Sequence, residues 1–539
     1  MDWTQIRSTF LLIFVLFAPS FSDAMSLEWT LRGGIACPDT IRTRSVALVV
    51  NLTDDNSDGL VNEDDDPDVV NVTDRYLRAA HGADGSCIFE ICDRDYWTME
   101  NAIPAVGDID NDGFPEIVVM KFWMRGVTPD ALLMAFEHDG SFKWESDPLT
   151  FEPKSNEAPP ALADLTGDGT PEILVGGDVF NAAGNRLFSL PNVGRSASYT
   201  ADLDLDGSPE IIAAGYTFRA DGSLFWQVPI GAEHSAVANF DDDPYPEVAF
   251  FFRTELSLFN HDGSRAWGPV TVPSDSGQGG GPPVVADFDG DCEVEIGVAS
   301  DHYYTVFNAD GSVLWSVPAH DGSSFGIGST AFDFDSDGAY DIAYQGDDDF
   351  YIFRGTNGDE MFHLGNPEGT AVMEYPTIAD VDRDGRAEVL VPSTDGLKVY
   401  GDPAWPPARE IWNQHAYSVT NINDDATVPM VVGNHWESFN AFRTQAAPEG
   451  YVPPGVVGNT FYCTKSGDDV VQEWFPSTPA AQYMVAKDNE KTFLAPVLLF
   501  ETVIPRERHV DAVPGPPQNE PLFYYRVVAE DCWGNAATY

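Results

Sequence analysis

The side chains best placed to do chemistry in this sequence are carboxylates set on alternate positions of short, glycine-containing turns. Oxygen-bearing residues take relative positions 1, 3 and 5, position 6 is usually glycine, and an acid returns at position 9. Seven sets obey the rule: Asp108, Asp110, Asp112, Glu116; Asp164, Thr166, Asp168, Glu172; Asp202, Asp204, Asp206, Glu210; Asn239, Asp241, Asp243, Glu247; Asp287, Asp289, Asp291, Glu295; Asp333, Asp335, Asp337, Asp341; and Asp380, Asp382, Asp384, Glu388. Alternate side chains in a tight turn converge on one point. The position-7 carbonyl adds a ligand, as from Phe114, Thr170, Ser208, Ala339 and Arg386, and the acid entering the next strand closes a shell of about six to eight oxygens suited to Ca²⁺. Magnesium fits less well, because it prefers a rigid octahedron and keeps its waters. A lone turn of this kind is usually just solvated, but seven at one offset require a cation, so several calcium ions are expected, about one per loop.

Two loops depart from the rule at position 6, where Pro244 and Cys292 replace glycine. Neither should easily reach positive φ, so weaker or empty sites are expected there. An earlier, longer loop differs again: Asp54, Asn56, Asp58, Gly59, Leu60, Asn62 and Asp65 follow the EF-hand spacing, and Asp68 then stands where Glu116 stands in the next copy. Either these ligands wrap an ion or the stretch is an acidic insertion.

Other chemical signals are weak. Ser274 to Pro282 faintly resembles a serine-protease nucleophile loop, but it leads straight into a strand, and a blade-opening turn explains it better. The ten histidines show no HExxH pair, and no glycine-rich phosphate loop opens a helix.

The acidic loops are carried by a repeat. Each copy reads as a short apolar strand, the loop, a β-rich strand such as Glu210-Ile211-Ile212, then a hairpin and often a tryptophan. Asp-Gly supplies the positive φ that tight hairpins need at Asp139-Gly140, Asp221-Gly222, Asp262-Gly263 and Asp310-Gly311, which places Trp144, Trp226, Trp267 and Trp315 on fourth strands. First-ligand spacings of roughly 37 to 56 residues suit four-stranded blades. The fold class is therefore all-β, a seven- or eight-bladed β-propeller with eight favoured by the eight copies. The last copy lacks a fourth strand, which Ser26 to Thr30 can supply, closing the ring and burying both edges.

At these residues the chain resembles FG-GAP or VCBS-type repeat proteins, the family of the integrin α propeller and of many secreted bacterial proteins. The resemblance covers roughly residues 45 to 400 and implies a calcium-stabilised propeller with adhesive or ligand-binding roles.

Outside the ring, residues 401–457 are dense in aromatic and polar groups, including Trp405, Arg409, Trp412, His415, Tyr417, His435, Trp436 and Arg443. They read either as a structured cap docked on the propeller or as a carbohydrate-binding or catalytic face with Arg409 and His415 in it. Residues 458–539 resemble a fibronectin type III domain that stops where its last strand should begin, an incomplete β-sandwich that leaves the strand around Tyr524 to Glu530 with an unpaired edge.

Residues 1–24 read as a signal peptide, with an apolar run from Phe10 to Phe17 too short to span a bilayer and cleavage after Ala24. No later segment is long and apolar enough to cross a membrane, so a secreted or extracellular-surface protein is expected. The formal charge of −59, from 87 acidic against 28 basic side chains, demands cations and disfavours nucleic acid as a partner. The six cysteines permit a few disulfides, and the pairs expected are Cys87 to Cys92 and Cys463 to Cys532. Sequons at Asn51 and Asn71 matter only in a host that glycosylates asparagine. The expected role is non-enzymatic: adhesion, ligand binding or extracellular scaffolding, with a glycan, a protein or further copies of the chain as partner. The rivals are a polysaccharide-active enzyme, since rhamnogalacturonan lyases similarly build a calcium-bearing eight-bladed ring, and a subunit of an extracellular filament.

Overall fold

The computed structural model describes residues 25–448, apart from 33–36, 38–41, 101, 129, 154–157, 231–232, 242, 276, 278, 320–326, 347–348 and 366–374, and beyond 448 the backbone of seven strands. The signal peptide expected at 1–24 and the side chains of Cys463 and Cys532 lie outside the described residues.

Eight four-stranded antiparallel sheets make the ring, each a simple meander. Blades 1 to 7 run over residues 48–90, 105–145, 161–189, 198–227, 234–271, 284–318 and 329–365. Blade 8 takes three strands from residues 377–401 and its fourth from the N-terminus, where Ser26–Leu31 pairs with Gly396–Gly401. The expected eight blades and their N-terminal closure are therefore both present. Within a blade, burial falls from the axis outward. Second strands such as Glu116–Met120 are buried along their length and rich in β-branched residues, whereas fourth strands such as Phe142–Glu145 are largely exposed.

Aromatic side chains link most fourth strands to the following blade. The indole Nε1 atoms of Trp226, Trp267 and Trp315 donate to the carbonyls of His261, Ala309 and Gly355, the first two at 2.7 Å. The same rings lie over the hairpin glycines: a Cβ on Gly263 would sit 2.9 Å from Trp226, and one on Gly358 would sit 2.7 Å from Trp315. The hairpin glycine is thus required twice, for its positive φ and for the neighbour's ring.

The innermost strands would leave their edges bare around the axis, and residues 401–446 answer them. Val49 and Trp412 exchange backbone hydrogen bonds, as do Val285 and Phe442. Val106 N–H donates to Asn413 O, Leu162 N–H to Gln414 Oε1, Asn239 N–H to Asn440 Oδ1, and Gln445 donates to Ala331 O and Ile378 O. Seven of the eight inner strands are bonded this way, and blade 4 meets the segment through the Tyr199 and Phe442 rings, 5.0 Å apart. The segment thus docks on the propeller along its axis, as a plug bonded to the inner strands.

The expected Cys87–Cys92 bridge is replaced by Cys37–Cys92, with Cα atoms 5.2 Å apart. Cys87 opens the extended strand Cys87–Glu90, and about five residues of extended chain span roughly 16 Å, beyond the ~7 Å a disulfide tolerates. Cys87 is free and exposed. Asn51 and Asn71 are buried, so neither sequon can carry a glycan in the folded ring. Beyond the plug, Tyr462–Ser466, Asp469–Glu473 and Arg508–Ala512 form one sheet, and Val497–Thr502, Gln482–Asp488, Tyr524–Glu530 and Ala536–Ala537 form another. The expected unpaired edge of Tyr524–Glu530 is therefore partly occupied: Gln482–Asp488 takes one side, and Ala536–Ala537 pairs two residues on the other.

Candidate metal sites in the acidic loops

Each loop joins a first strand to a second strand at the same end of the ring, and its acids first organise the loop itself. In blade 2, Asp108 Oδ1 and Oδ2 accept from Asp112 N–H and Gly113 N–H at 3.3 and 3.0 Å, Asp112 Oδ1 accepts from Phe114 N–H at 3.0 Å, and Glu116 Oε2 accepts from Ile109 N–H at 3.0 Å. The last bond recurs as Leu165 to Glu172, Leu203 to Glu210, Phe240 to Glu247, Phe288 to Glu295 and Val381 to Glu388. Carboxylate oxygens of Asp108, Asp110 and Glu116 lie within 4.8 Å of one another, as do those of Asp202, Asp204 and Asp206.

After these bonds are made, buried carboxylate oxygens remain without a partner: Asp204 Oδ1, Asp289 Oδ1, Asp335 Oδ1, Asp341 Oδ2 and Asp380 Oδ1. Buried anionic oxygens left unanswered are costly, and a hard cation among them fits the donor set. Burial, with the neighbouring carboxylates adding to it, pushes Glu295 up to about 9, Glu388 to about 10 and Asp287 to about 7.

The two loops that lack the position-6 glycine behave differently. Cys292 takes the turn at φ 74°, and its N–H reaches Asp287 Oδ2 at 2.9 Å, so this loop keeps the common geometry and the expectation of a distorted turn fails there. Pro244 has no N–H to offer. Its loop starts with Asn239, whose Nδ2 donates to the Asp243 carbonyl at 2.6 Å instead. The proline and the asparagine are one adjustment: without the position-6 donor, the second carboxylate oxygen of an aspartate would be unanswered.

In blade 1, Asn51 holds the place of Asp108, since Leu52 N–H donates to Asp68 Oδ2 at 2.9 Å as Ile109 does to Glu116. Asp68 also accepts from Thr53 Oγ1 and pairs with His81 Nδ1 at 3.1 Å. The EF-hand-like stretch is an insertion between these two frames. Asp54 accepts from Asp58 and Gly59 N–H, and Asp65 accepts from Asp55, Asn56 and Asn62 N–H, all at 2.9 to 3.2 Å.

Sequence reasoning missed the basic side chains that reach into some of these sites. Lys143 Nζ stands 2.8 Å from Asp110 Oδ2 and 2.9 Å from Glu116 Oε1. Arg219 Nη1 is 2.7 Å from both Asp204 Oδ2 and Glu210 Oε1, and Arg354 Nη1 is 2.6 Å from Asp335 Oδ2. His81, Arg219 and Arg354 occupy one register position, the first residue after or last residue of the third strand, where blades 3, 5 and 6 carry Asn181, Asn260 and Asn308. Lys143 comes from the residue before the fourth-strand tryptophan. The matching residue in blade 8 is Glu28, pushed up to about 7 by burial and by Asp382, Asp384 and Asp380. The loops of blades 2, 4 and 7 are therefore braced by a built-in cation, those of blades 3, 5 and 6 have an asparagine at the third-strand position instead, and that of blade 8 gains a further acid.

The FG-GAP-like repeat family matches residues 333–391. No curated protein matches the sequence. Among solved structures, the Vibrio cholerae biofilm matrix protein Bap1 superposes with a TM-score of 0.69 at 21% identity, covering 80% of this chain and 100% of that one. A rhamnogalacturonan lyase of Bacillus licheniformis, PL11, superposes with a TM-score of 0.51 at 15% identity, covering 79% and 83%. At these identities the likeness is one of fold. Together, the repeat match and the eight-bladed ring support an FG-GAP-type propeller.

Proposed function

We propose that this chain is an exported calcium-binding propeller that serves as an adhesion, ligand-binding or scaffold module of an extracellular matrix or surface, and not as an enzyme. The observation that carries the calcium reading is the pair of buried, unanswered carboxylate oxygens at Asp289 and Asp380, in loops that repeat one spacing. Calcium there locks the loops of a ring already plugged at its axis, leaving a rigid body suited to presenting its outer surface. The extracellular role draws on the biofilm matrix protein, whose whole chain this one covers. Residues 458–539 would be a fibronectin type III-like sandwich beside the ring. The partner is a glycan, a protein or another copy, and nucleic acid is disfavoured by the charge of −59.

A glycan array and a binding assay to surface-grown cells, each run with calcium and with EDTA, test this reading. Calcium-dependent, saturable binding is expected; indifference to calcium and to every surface overturns it. The lyase reading is favoured by the ring's likeness to PL11. Incubation with pectic polysaccharides decides it, since an unsaturated product absorbing in the ultraviolet would replace the scaffold reading with an enzymatic one.

A further inference from the structure

In blade 1 the acid that enters the second strand faces a histidine. The regular frame of this blade runs through Asn51, Thr53 and Asp55 to Asp68, the first residue of the strand Asp68–Thr73. His81 Nδ1 stands 3.1 Å from Asp68 Oδ1. Ligand atoms of Asp55, Asp68 and His81 all lie within 4.8 Å of one another, although they come from the loop, the second strand and the end of the third. Thr53 Oγ1 is 2.9 Å from both Asp55 Oδ2 and Asp68 Oδ2, but a hydroxyl has one hydrogen and answers one of the two carboxylates at a time. Among the described residues, His81 is the one basic side chain paired with either.

The side chain at this position sets blade 1 apart. Blades 4 and 7 carry Arg219 and Arg354 there, and blades 3, 5 and 6 carry Asn181, Asn260 and Asn308. A guanidinium has a fixed charge and no lone pair, so it can only stand in for a metal ion. An imidazole can bind one. Calcium takes oxygen ligands, whereas an imidazole nitrogen suits zinc and its neighbours. The distance agrees with the chemistry: a nitrogen and an oxygen held by one zinc ion at about 2.0–2.2 Å stand about 3 to 3.5 Å apart. His81 and Asp68 already have that spacing.

The hairpin that carries His81 is fixed from outside the cluster. His81 N–H donates to Ser86 O at 2.9 Å, Gly82 N–H donates to Pro67 O at 3.0 Å, and Gly82 O accepts from Trp29 Nε1 at 2.7 Å. The imidazole is therefore positioned by the backbone of blade 1 and by the strand that closes the ring.

We propose that Asp55, Asp68 and His81 form a zinc site, separate from the calcium loops, that ties the loop of blade 1 to its third strand beside the seam where the ring closes. Asp55 and Asp68 give one oxygen each and His81 gives Nδ1, while the fourth position is left to water on the side of Asp55, which is exposed. The zinc site stands whether or not the seven loops take calcium.

Full-length protein saturated with calcium is titrated with zinc chloride by calorimetry, and with cobalt(II) as a spectroscopic probe. The expected result is a saturable zinc site that raises the melting temperature and a visible cobalt absorption, both lost in His81→Asn. Asparagine is the residue of blades 3, 5 and 6 at this position, so the variant should fold, which circular dichroism in calcium checks. Asp55→Asn, at an exposed position, should weaken zinc by at least about tenfold. Absence of saturable zinc binding overturns the proposal. So does full zinc affinity in either folded variant, which leaves His81 as no more than the ion-pair partner of Asp68.

Discussion

The indole Nε1 of Trp29 donates a 2.7 Å hydrogen bond to the carbonyl of Gly82, across the seam where the N-terminal strand closes blade 8 against blade 1. The same ring leaves 2.6 Å for a Cβ at Gly85. One residue from the start of the described chain thus pins its last blade to its first. Trp29→Phe should cost about 1 kcal/mol for the lost hydrogen bond, and Trp29→Ala about 3–5 kcal/mol for the cavity as well. Urea unfolding with calcium present measures both. If Trp29→Ala changes stability no more than a surface substitution, the seam is held elsewhere.

The loops should not lose calcium equally. A site at a hundredfold excess over its Kd stabilises the fold by about 2.7 kcal/mol. Asp110→Ala and Asp289→Ala should each remove most of one such increment, because Gly113 and Cys292 both give position-1 aspartates their second donor. Asp241→Ala should remove less, because Pro244 denies that donor and Asn239 carries one charge fewer. The difference in melting temperature between calcium and EDTA, measured for each variant, gives the order; equal losses would show that the proline loop binds as well as the rest.

Built-in cations should compete with calcium. Lys143→Met removes the ammonium from Asp110 and Glu116 and is expected to raise the calcium affinity of blade 2. Glu28→Gln removes an acid facing Asp380, Asp382 and Asp384 and should lower that of blade 8. Calorimetry or terbium luminescence reads both, and shifts in the same direction for the two variants would defeat the comparison.

Without calcium, stability should fall as pH rises. Glu172 and Glu247 are pushed up to about 7, Glu295 to about 9 and Glu388 to about 10, first by burial and then by their neighbours. The folded state therefore holds these protons more tightly than the unfolded chain, whose glutamates titrate near about 4.3. Their contribution is fully present below that pH and is lost on rising through about 7 to 10. The hairpin aspartates Asp139, Asp221, Asp262 and Asp310 are held low by their serine partners, so their contribution is lost only on falling below about pH 4, outside this window. In EDTA the melting temperature at about pH 5.5 should exceed that at about pH 9, and calcium should flatten the difference by replacing the protons. A melting temperature that rises with pH in EDTA would contradict the assignment.

What the sequence determined by itself was whatever repeats locally. Position-1 aspartates, returning acids, Asp-Gly hairpins and fourth-strand tryptophans recur at fixed offsets, and each is a short-range device, so the blade, the blade number and the closing strand Ser26–Leu31 were legible. Tertiary structure decided what depends on residues far apart in the chain. Val49 meets Trp412, and Val285 meets Phe442, so it is the packed ring that shows the aromatic segment bonded to the inner strand edges. Arg409, offered as a catalytic residue, is tied to Asp424, Tyr417, Val419 and Ile422 within that plug. Cys37 finds Cys92 because two chain stretches converge, while nearness in sequence keeps Cys87 out of reach along an extended strand. Which acids are answered by Lys143, Arg219 or Arg354, and which oxygens stay unanswered, follows from side chains brought over by another strand of the same blade. A motif fixes the acids of a loop, but only the packed ring sets the charge those acids face.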